Sequence, residues 1–183
     1  MNEKIIETDR LILRNFRLDD LNDYYEYAKV DDIGLNCGWR PLQSIDEAAN
    51  KLDHMINANY PYYAIVLKSN NKVIGNISLS NPDIRRYPDI KLEEEAKELG
   101  FALSKDYWKN GYMTEAIQGL IKYAFNILNI PAIYSITSNQ NLSSIKVQEK
   151  CGLSPVSDKI LVKWIDGTIQ EMVIRKVENK KSN

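Results

Sequence analysis

The fold of this chain is decided by Glu98-Leu-Gly-Phe-Ala-Leu103 and, three residues later, by Tyr107-Trp-Lys-Asn-Gly-Tyr-Met-Thr-Glu-Ala116. The first stretch predicts a strand. The second predicts a tight polar loop, Asn110-Gly111, that leads at once into a helix. Apolar residues recur at helical spacing along one face of that helix. They are Met113, Ala116, Ile117, Leu120, Ile121, Ala124 and Leu128.

A glycine immediately before a helix has consequences for ligand binding. Gly111 can adopt a positive φ and lets the backbone come close to a ligand. The helix N-terminus presents free N–H groups and a partial positive charge, and Lys109 adds a full charge beside it. This combination favours a phosphate or pyrophosphate, although one glycine between a strand and a helix is also typical of a plain turn. The stretch matches neither a Walker loop nor a dinucleotide fingerprint.

The remaining patterns predict a mixed sheet covered by helices. Further strands are predicted at residues 11–13, 62–67, 73–79, 132–137, 160–164 and 168–177, and further helices at 21–28, 45–56 and 141–151. The chain order is one strand, two helices, three strands, then helix, strand, helix and two strands. This order indicates an α/β protein with at least one crossover unit at the centre of its sheet.

Short polar residues mark the ends of the predicted helices. Asp19 and Asp20 offer an N-cap to the first helix, and Ser44 begins a capping box with Glu47. Gly152 is the residue type that ends a helix in a left-handed conformation. These signals fix where three of the helices begin or end.

Turns and loops are predicted from polar clusters. Ser69-Asn-Asn71 and Asp166-Gly167 predict two antiparallel hairpins. Residues 81–97 are charged and contain two prolines, so we expect an exposed loop with Glu93-Glu-Glu95 as a solvated face. The polar tail, residues 178–183, is expected to be disordered.

Composition favours a single soluble domain over residues 1–183, with its core at about residues 8–177. The chain has 183 residues, of which 44% are hydrophobic and 27% charged, as in ordinary globular proteins. The net charge of -1 does not suit a protein that neutralises many phosphates, so we expect no nucleic-acid partner. We find neither a signal peptide nor an apolar run of membrane-spanning length, and therefore expect a cytoplasmic protein without a membrane partner.

Few residues suit metal binding or nucleophilic catalysis. The two cysteines, Cys37 and Cys151, make neither a disulfide framework nor a CxxC pair. The one histidine, His54, argues against a Ser-His-Asp triad and most metal sites, and we expect it to be a partly buried packing residue. We therefore expect no metal, and we interpret Cys151 as buried filler beside the helix end.

The two stretches that decide the fold resemble the coenzyme A-binding motif of the GNAT N-acetyltransferase superfamily. Within it, the chain is most similar to the RimJ/RimL-like ribosomal-protein N-terminal acetyltransferases. Three further stretches resemble that branch in matching order, so that the resemblance covers roughly residues 8–175. They are Thr8–Arg14, Trp39-Arg-Pro41 with Ser44-x-x-Glu47-Ala48, and Asn141–Leu153.

The resemblance implies the GNAT fold, in which a mixed, mostly antiparallel sheet contains two splayed parallel strands and is flanked by helices. Here those strands are the ones at Phe101 and Tyr134. It also implies acetyl-CoA as cosubstrate, with loop N–H groups on the pyrophosphate and a strand edge on the pantetheine arm. The implied cofactor residues are Phe101, Ala102, Leu103, Lys109, Asn110, Gly111, Tyr112, Met113, Thr114, Asn141, Ser144 and Lys150.

Two positions depart from the superfamily's phosphate-loop pattern, Gln/Arg-x-x-Gly-x-Gly/Ala. Trp108 stands at the first position, which fits the RimJ/RimL-like branch, and the bulky Met113 stands at the last. Because such a loop mostly uses backbone N–H groups, we expect cofactor binding to survive. Lys150 is equally well interpreted as a solvated lysine on a helix.

The candidate catalytic residues follow from the chemistry of acyl transfer for Glu98, and from the resemblance for Asn141 and Ser144. Glu98 is the candidate base, acting directly or through a water, although a solvated glutamate at a strand end is an equal alternative. Asn141 and Ser144 are placed beside the thioester sulfur, although both also suit the start of a helix. Many members use a tyrosine where this chain has Gln148, so Ser144 is the candidate hydrogen-bond donor to the leaving thiolate.

Trp39 and Tyr87 are the candidates for lining the acceptor pocket. The predicted reaction is acetyl transfer from acetyl-CoA to a primary amine, by direct attack within a ternary complex. The acceptor is a protein N-terminus or a small-molecule amine, and the protein is a monomer or a homodimer. The alternatives are a non-catalytic acyl-CoA sensor and a nucleotide-binding α/β protein, the latter resting only on Asn110-Gly111.

Overall fold

A computed structural model describes residues 5–87, 90–156, 160–164 and 167–180, without the side chain of Leu35. Within these residues, nine strands form one sheet and five α-helices pack around it. The strands are β1 (Ile6–Glu7), β2 (Leu11–Asn15), β3 (Tyr62–Leu67), β4 (Val73–Ser80), β5 (Lys97–Leu103), β6 (Ala132–Ser138), β7 (Ser154–Pro155), β8 (Ile160–Lys163) and β9 (Ile169–Glu178). The helices are α1 (Leu21–Ala28), α2 (Asp31–Cys37), α3 (Ile45–Ile56), α4 (Tyr112–Asn126) and α5 (Leu142–Lys150).

The sheet is antiparallel except where β5 meets β6. Its order is β1-β2-β3-β4-β5-β6-β9-β7, with β8 also paired to β9. Helix α4 makes the crossover between the parallel strands β5 and β6. In the described residues, these two strands pair only at Lys97 with Ile133 and at Glu98 with Tyr134. The predicted fold class, including the two parallel strands that separate, is confirmed.

Hydrophobic burial on both faces holds the sheet in place. On one face, α4 buries most of its predicted apolar stripe, with Ile117 and Leu120 at 0% exposure. Ile121 is only partly buried, and Leu128 lies beyond the end of the helix. On the other face, α1 and α3 pack Tyr24 and Leu52 against β3 and β4. A third, smaller cluster surrounds Tyr134 at the point where β5 and β6 pair. This last cluster lies next to the candidate base of the predicted site.

Some predicted caps are confirmed and one is wrong. The Ser44 hydroxyl accepts a hydrogen bond from the Glu47 N–H at 3.1 Å, and Gly152 has φ +85° after α5. The Asp20 side chain does not cap α1. Its carboxylate binds Arg14 instead, at 2.7 and 2.8 Å, because a nearby guanidinium offers two parallel charged donors.

The chain ends differ from the sequence expectation. Strand β9 continues through Glu178, and the Asn179 side chain is buried, where its amide donates to the carbonyl oxygens of Phe125 and Ile130. The predicted disorder is therefore wrong for residues 178–180, because this amide satisfies carbonyl groups near the end of α4. Residues 181–183 lie outside the described part of the chain.

The loop before β5 is less solvated than predicted. The Glu93 carboxylate accepts hydrogen bonds from the Tyr134 hydroxyl at 2.7 Å and from Lys176 Nζ at 3.1 Å. Glu94 and Glu95 are exposed as expected. Glu93 therefore ties the loop to β6 and β9, and the prediction of a solvated face is wrong for this one residue.

Sequence patterns missed the two-residue strands β1 and β7 and the seven-residue helix α2. The β8–β9 hairpin was predicted, and the hydrogen bond that closes it, from the Trp164 N–H to the Thr168 carbonyl oxygen, measures 2.8 Å. Asp166 lies outside the described residues.

Within the described ranges, none of the helices combines the length and the apolar character needed to cross a membrane.

Candidate functional site

A cavity of about 360 Å³ opens where β5 leaves β6, and we call it the splay cavity. Strand β5, helix α2, the start of α4 and one side of α5 form its walls. Eleven of the twelve predicted cofactor residues line it, and Asn110 is the exception. The lining residues are Asp32, Ile33, Asn36, Cys37, Phe101, Ala102, Leu103, Tyr107, Trp108, Lys109, Gly111, Tyr112, Met113, Thr114, Asn141, Ser143, Ser144, Lys146, Val147 and Lys150.

Every second residue of β5 directs its backbone groups toward the edge that faces away from β4. Its carbonyl oxygens accept side-chain hydrogen bonds, from the Ser135 hydroxyl to Leu99 at 3.2 Å and from the Trp108 indole N–H to Leu103 at 2.8 Å. The Cys37 thiol donates to the carbonyl of Phe101 at 3.5 Å. These side chains replace the partners that a neighbouring strand would supply.

Alternation along β5 decides which predicted residues offer backbone groups to the cavity. In an antiparallel ladder, the N–H and C=O of one residue point to the same side. The N–H groups of Phe101 and Leu103 therefore point the same way as their carbonyls, toward the cavity. Ala102 is the register partner of Asn76, and its backbone groups face β4 instead. Only two of the three predicted residues can thus pair with an extended ligand.

The loop before α4 has the backbone conformation of an anion nest. Lys109 has φ +63° and Gly111 has φ +80°, so both lie in the left-handed region. The first helical hydrogen bond runs from the Glu115 N–H to the Gly111 carbonyl at 3.0 Å. The N–H groups of residues 112–114 precede that bond and have no partner within the helix. They face the cavity together with a partial positive charge.

Three lysines line the same cavity as this nest. Lys109, Lys146 and Lys150 line the splay cavity, and all three are exposed. Three ammonium groups near a helix N-terminus suit a ligand with several phosphates. The bulk of Met113 does not block the loop, because this side chain is only 5% exposed and belongs to the main core.

A network from the N-terminal segment braces the same loop. The Glu115 carboxylate accepts hydrogen bonds from the Thr8 hydroxyl at 2.6 Å, and from the backbone N–H and Nε of Arg10 at 2.7 Å each. The Arg10 Nη1 also donates to the Asn110 carbonyl at 3.1 Å. Burial alone would raise the pKa of Glu115, but these hydrogen bonds outweigh burial and hold the pKa below its ordinary value.

Helix α5 presents Ser144 to the cavity. The Asn141 side-chain oxygen accepts from the Ser144 N–H at 3.0 Å, so Asn141 is the N-cap of this helix. The Gln148 amide donates to the Ser144 hydroxyl oxygen at 3.0 Å. Within the described residues, the Ser144 hydroxyl accepts this hydrogen bond and donates none, so its proton is available to a group in the cavity.

Glu98 lies where β5 and β6 still pair, and it is not among the residues that line the splay cavity. Its two carboxylate oxygens accept hydrogen bonds from Arg86 Nη1 and from the Tyr87 hydroxyl, at 2.7 Å each. Burial, and then the charge of Glu98, raise the pKa of Tyr87 well above its ordinary value. Tyr87 therefore stays a neutral donor that orients Glu98.

A second cavity, of about 250 Å³, lies on the opposite side of β4 and β5 from the α4 core, and we call it the aromatic cavity. Trp39 lines it, as expected of an acceptor pocket, whereas Tyr87 is 2% exposed and packs against Tyr134. The structure thus separates the two predicted acceptor residues. The cavity is lined by Tyr24, Trp39, Lys51, His54, Met55, Tyr60, Tyr62 and Asn76.

The two cysteines and the histidine differ in how far they are buried. Burial raises the pKa of both Cys37 and Cys151 to about 12, so neither thiol is a ready nucleophile at neutral pH. The interpretation of Cys151 as buried filler agrees with its 9% exposure. His54 is exposed at the aromatic cavity, and the expectation that it is a packing residue is wrong.

The structure combines an anion-nest backbone before α4 with two parallel strands that separate. A family model described as an acetyltransferase (GNAT) domain matches residues 10–154. This chain belongs to the GNAT acetyltransferase family. The protein is accordingly an N-acetyltransferase, and its family uses acetyl-CoA.

Individual proteins resemble this GNAT acetyltransferase along most of its length. An uncharacterized N-acetyltransferase of Bacillus licheniformis, p20, is 26% identical over 144 residues, which are 76% of each chain. A GNAT-family acetyltransferase of Bacillus anthracis has a TM-score of 0.80 at 20% identity, covering 97% of this chain and 99% of that one. The ribosomal-protein-S5-alanine acetyltransferase of Vibrio fischeri has a TM-score of 0.76 at 19% identity, covering 98% and 99%. At these identities, the two solved structures show the fold.

Sequence patterns missed several residues of this GNAT site. Helix α2 contributes Asp32, Asn36 and Cys37 to the splay cavity, and its one clear signal was Gly38, which ends it with φ +84°. The bond between Glu115 and Arg10 joins positions 105 residues apart, which no local pattern reveals.

We predict that Glu115→Gln destabilises the protein by roughly 1–2 kcal/mol near neutral pH, because hydrogen bonds to a charged group are lost while the half-exposed Arg10 limits the effect. The pKa of Glu115 in the folded state is lowered below its ordinary value of 4.5. Ionised Glu115 therefore stabilises the fold fully at pH values above this ordinary pKa. That stabilisation disappears as the pH falls through the lower folded-state value. Urea unfolding of both proteins should therefore show a difference that narrows toward about pH 3.5.

The exposed Glu94 provides the matched control. Glu94→Gln should leave the free energy of unfolding unchanged within about 0.5 kcal/mol at either pH. A Glu115→Gln difference that stays constant across the pH range would show that the network does not depend on the charge of Glu115.

Proposed function

We propose that this chain is a single acetyltransferase domain that transfers the acetyl group of acetyl-CoA to a primary amine by direct attack in a ternary complex. The acceptor amine is carried by a small molecule or by a protein N-terminus. The observation that carries the proposal is the convergence of eleven predicted cofactor residues on one cavity, at the point where β5 leaves β6.

The residues of the splay cavity suit each part of acetyl-CoA. The N–H groups of residues 112–114 and the lysines around them suit the phosphates. The N–H group of Leu103, which lies nearer the loop, suits an amide oxygen of the pantetheine arm, in the manner of an added strand. The hydroxyl proton of Ser144 lies on the opposite wall, on α5. This arrangement holds the thioester between β5 and α5.

Bound acetyl-CoA supplies an activated acetyl group, and the protein must manage two protons. As the amine nitrogen bonds to the acetyl carbon and the bond to sulfur breaks, the amine loses a proton and the thiolate gains a hydrogen bond or a proton. Ser144 is the donor to the thiolate. Glu98 receives the amine proton through a water, since it lies outside the splay cavity with both oxygens oriented by Arg86 and Tyr87.

Electrostatic stabilisation at the reacting carbonyl comes from the strand edge. A backbone N–H group that is fixed by a sheet costs no reorganisation when negative charge develops on the acetyl oxygen. The Phe101 N–H is such a donor, because β4 holds this strand from Ser80 to Gly75 and Phe101 lies nearer to Glu98 along the strand than Leu103 does.

Gly111→Ala is expected to weaken acetyl-CoA binding about tenfold or more, because the new side chain disfavours φ +80° and shifts the N–H groups of the loop. Isothermal titration calorimetry measures the dissociation constant. Gly167→Ala is the matched control, because Gly167 has φ +87° with no atom within 4 Å of an added Cβ. Both variants lose comparable stability, and only Gly111→Ala should lose affinity. Equal affinity in all three proteins contradicts the role of the nest.

Glu98→Gln is expected to lower kcat about 100-fold near neutral pH while the affinity for acetyl-CoA stays unchanged, because a general base contributes about 10²–10⁴. The loss should shrink as the pH rises, since the free amine then no longer needs a base. Thiol release from acetyl-CoA, measured against a panel of primary amines, follows the reaction.

Glu93→Gln is the control for this experiment, since Glu93 also accepts a tyrosine hydrogen bond beside β6. It should retain nearly full kcat at every pH. Full activity of Glu98→Gln would remove Glu98 from the mechanism. Acetyl-CoA binding without thiol release for any amine would favour the acyl-CoA sensor over the enzyme.

A further inference from the structure

The aromatic cavity has the shape and composition of a site for one small, flat or apolar group. Four of its eight lining residues are aromatic, Tyr24, Trp39, Tyr60 and Tyr62, and Met55 adds an apolar wall. Its volume of about 250 Å³ lies below the usual range of about 300–1,000 Å³ for drug-sized ligands. The cavity therefore fits a single side chain or a small molecule, and not a long folded peptide.

The polar groups of this cavity favour an oxygen-bearing ligand. Lys51 lines it and, within the part of the chain that the structure describes, forms no ion pair or hydrogen bond. The indole N–H of Trp39 is buried and also lacks a partner among the described residues. A buried donor normally finds an acceptor, so the Trp39 N–H points to a ligand oxygen. The partly exposed ammonium of Lys51, at the same cavity, favours a carboxylate or carbonyl oxygen through a charge-assisted hydrogen bond.

Acidic side chains are missing from the described lining of the aromatic cavity. The charge of Glu47 contributes, after burial, to the raised pKa of Tyr24, which is about 12. The Glu47 carboxylate, however, accepts a hydrogen bond from the Gln43 N–H at 2.9 Å and does not line the cavity. A polyamine would therefore meet the ammonium group of Lys51 without a carboxylate to offset it.

The aromatic cavity adjoins the proposed thioester site, as two pairs of neighbouring residues show. Asn76 lines the aromatic cavity, and its register partner across β4 and β5 is Ala102, which lines the splay cavity. Helix α2 ends with Cys37 on the splay cavity, and Trp39 follows two residues later on the aromatic cavity. The two cavities therefore lie next to each other, and an amine held in the aromatic cavity is close to the proposed thioester site.

We infer that the aromatic cavity selects acceptors with an α-amino acid-like group, in which the reacting amine neighbours a carboxylate or carbonyl oxygen and carries an aromatic or apolar side chain. Lys51 and the Trp39 N–H bind the oxygen, and the tyrosines contact the side chain. This inference rests on the proposed acetyl transfer. A free amino acid and the first residue of a peptide both present this chemistry, and polyamines do not.

The experiment compares acceptors at equal concentrations of neutral amine. L-phenylalanine, 2-phenylethylamine and spermidine are tested with acetyl-CoA, and a short peptide amide beginning with Phe distinguishes a peptide terminus from the free amino acid. We expect kcat/KM for L-phenylalanine or the peptide to exceed that for 2-phenylethylamine by about 10- to 100-fold, since a charge-assisted hydrogen bond is lost in the amine. Spermidine should be the poorest acceptor.

Two variants test the assigned donors, and a third is the control. Lys51→Met should raise KM for the best acceptor about tenfold with little change in kcat, and leave 2-phenylethylamine unaffected. Trp39→Phe keeps an aromatic wall, removes the N–H, and should act in the same direction. Lys122→Met changes an exposed lysine of α4 outside the aromatic cavity and should change nothing.

The outcomes separate the inference from the function on which it rests. Absence of acetyl-CoA binding would overturn the proposed function and the inference with it. Acetyl-CoA binding with equal or better use of spermidine or 2-phenylethylamine would overturn the inference alone, as would turnover of none of the four acceptors. A Lys51→Met variant that keeps the full preference would remove Lys51 as the specificity residue and contradict the inference.

Discussion

The separation of β5 from β6 after Glu98 is the constraint on which the rest of this molecule depends. A strand inside a sheet normally has its peptide groups paired on both sides, and the second half of β5 has β4 on only one. Ser135, Cys37 and Trp108 satisfy the exposed carbonyls, and the N–H groups remain directed at the gap. A cavity with fixed donors along one wall is the consequence.

The elements around this gap are held by contacts distant in sequence. Helix α4 buries its apolar stripe against the sheet, so its N-terminus is fixed at the end of β5. The N-terminal segment then locks the loop through Thr8, Arg10 and the charged Glu115. On the other side of the gap, the cap between Asn141 and Ser144 fixes the start of α5. Rigid positioning of these groups supports both cofactor binding and electrostatic catalysis.

The sequence was sufficient for the features that depend on local patterns. The stripe of α4, the cap at Ser44 and the left-handed Gly111 are read from spacing and residue type, and the structure contains all three. Helix α2 was missed because seven residues carry too little periodicity. The partners of Glu98 were missed because Arg86 and Tyr87 lie in an irregular loop whose path depends on tertiary packing. Ala102 was assigned to the ligand edge because register alternation cannot be read from one strand alone.

The central claim is that the gap between β5 and β6 binds acetyl-CoA, and thermal unfolding with and without this ligand tests it most directly, with ATP as the control. At about 100 times its Kd, a ligand adds roughly 2.7 kcal/mol of stability, which for a chain of this size raises Tm by about 5–10 °C. We predict that rise with acetyl-CoA and a much smaller one with ATP, which has phosphates but no pantetheine arm. An unchanged Tm with saturating acetyl-CoA, or an equal rise with ATP, would contradict the account.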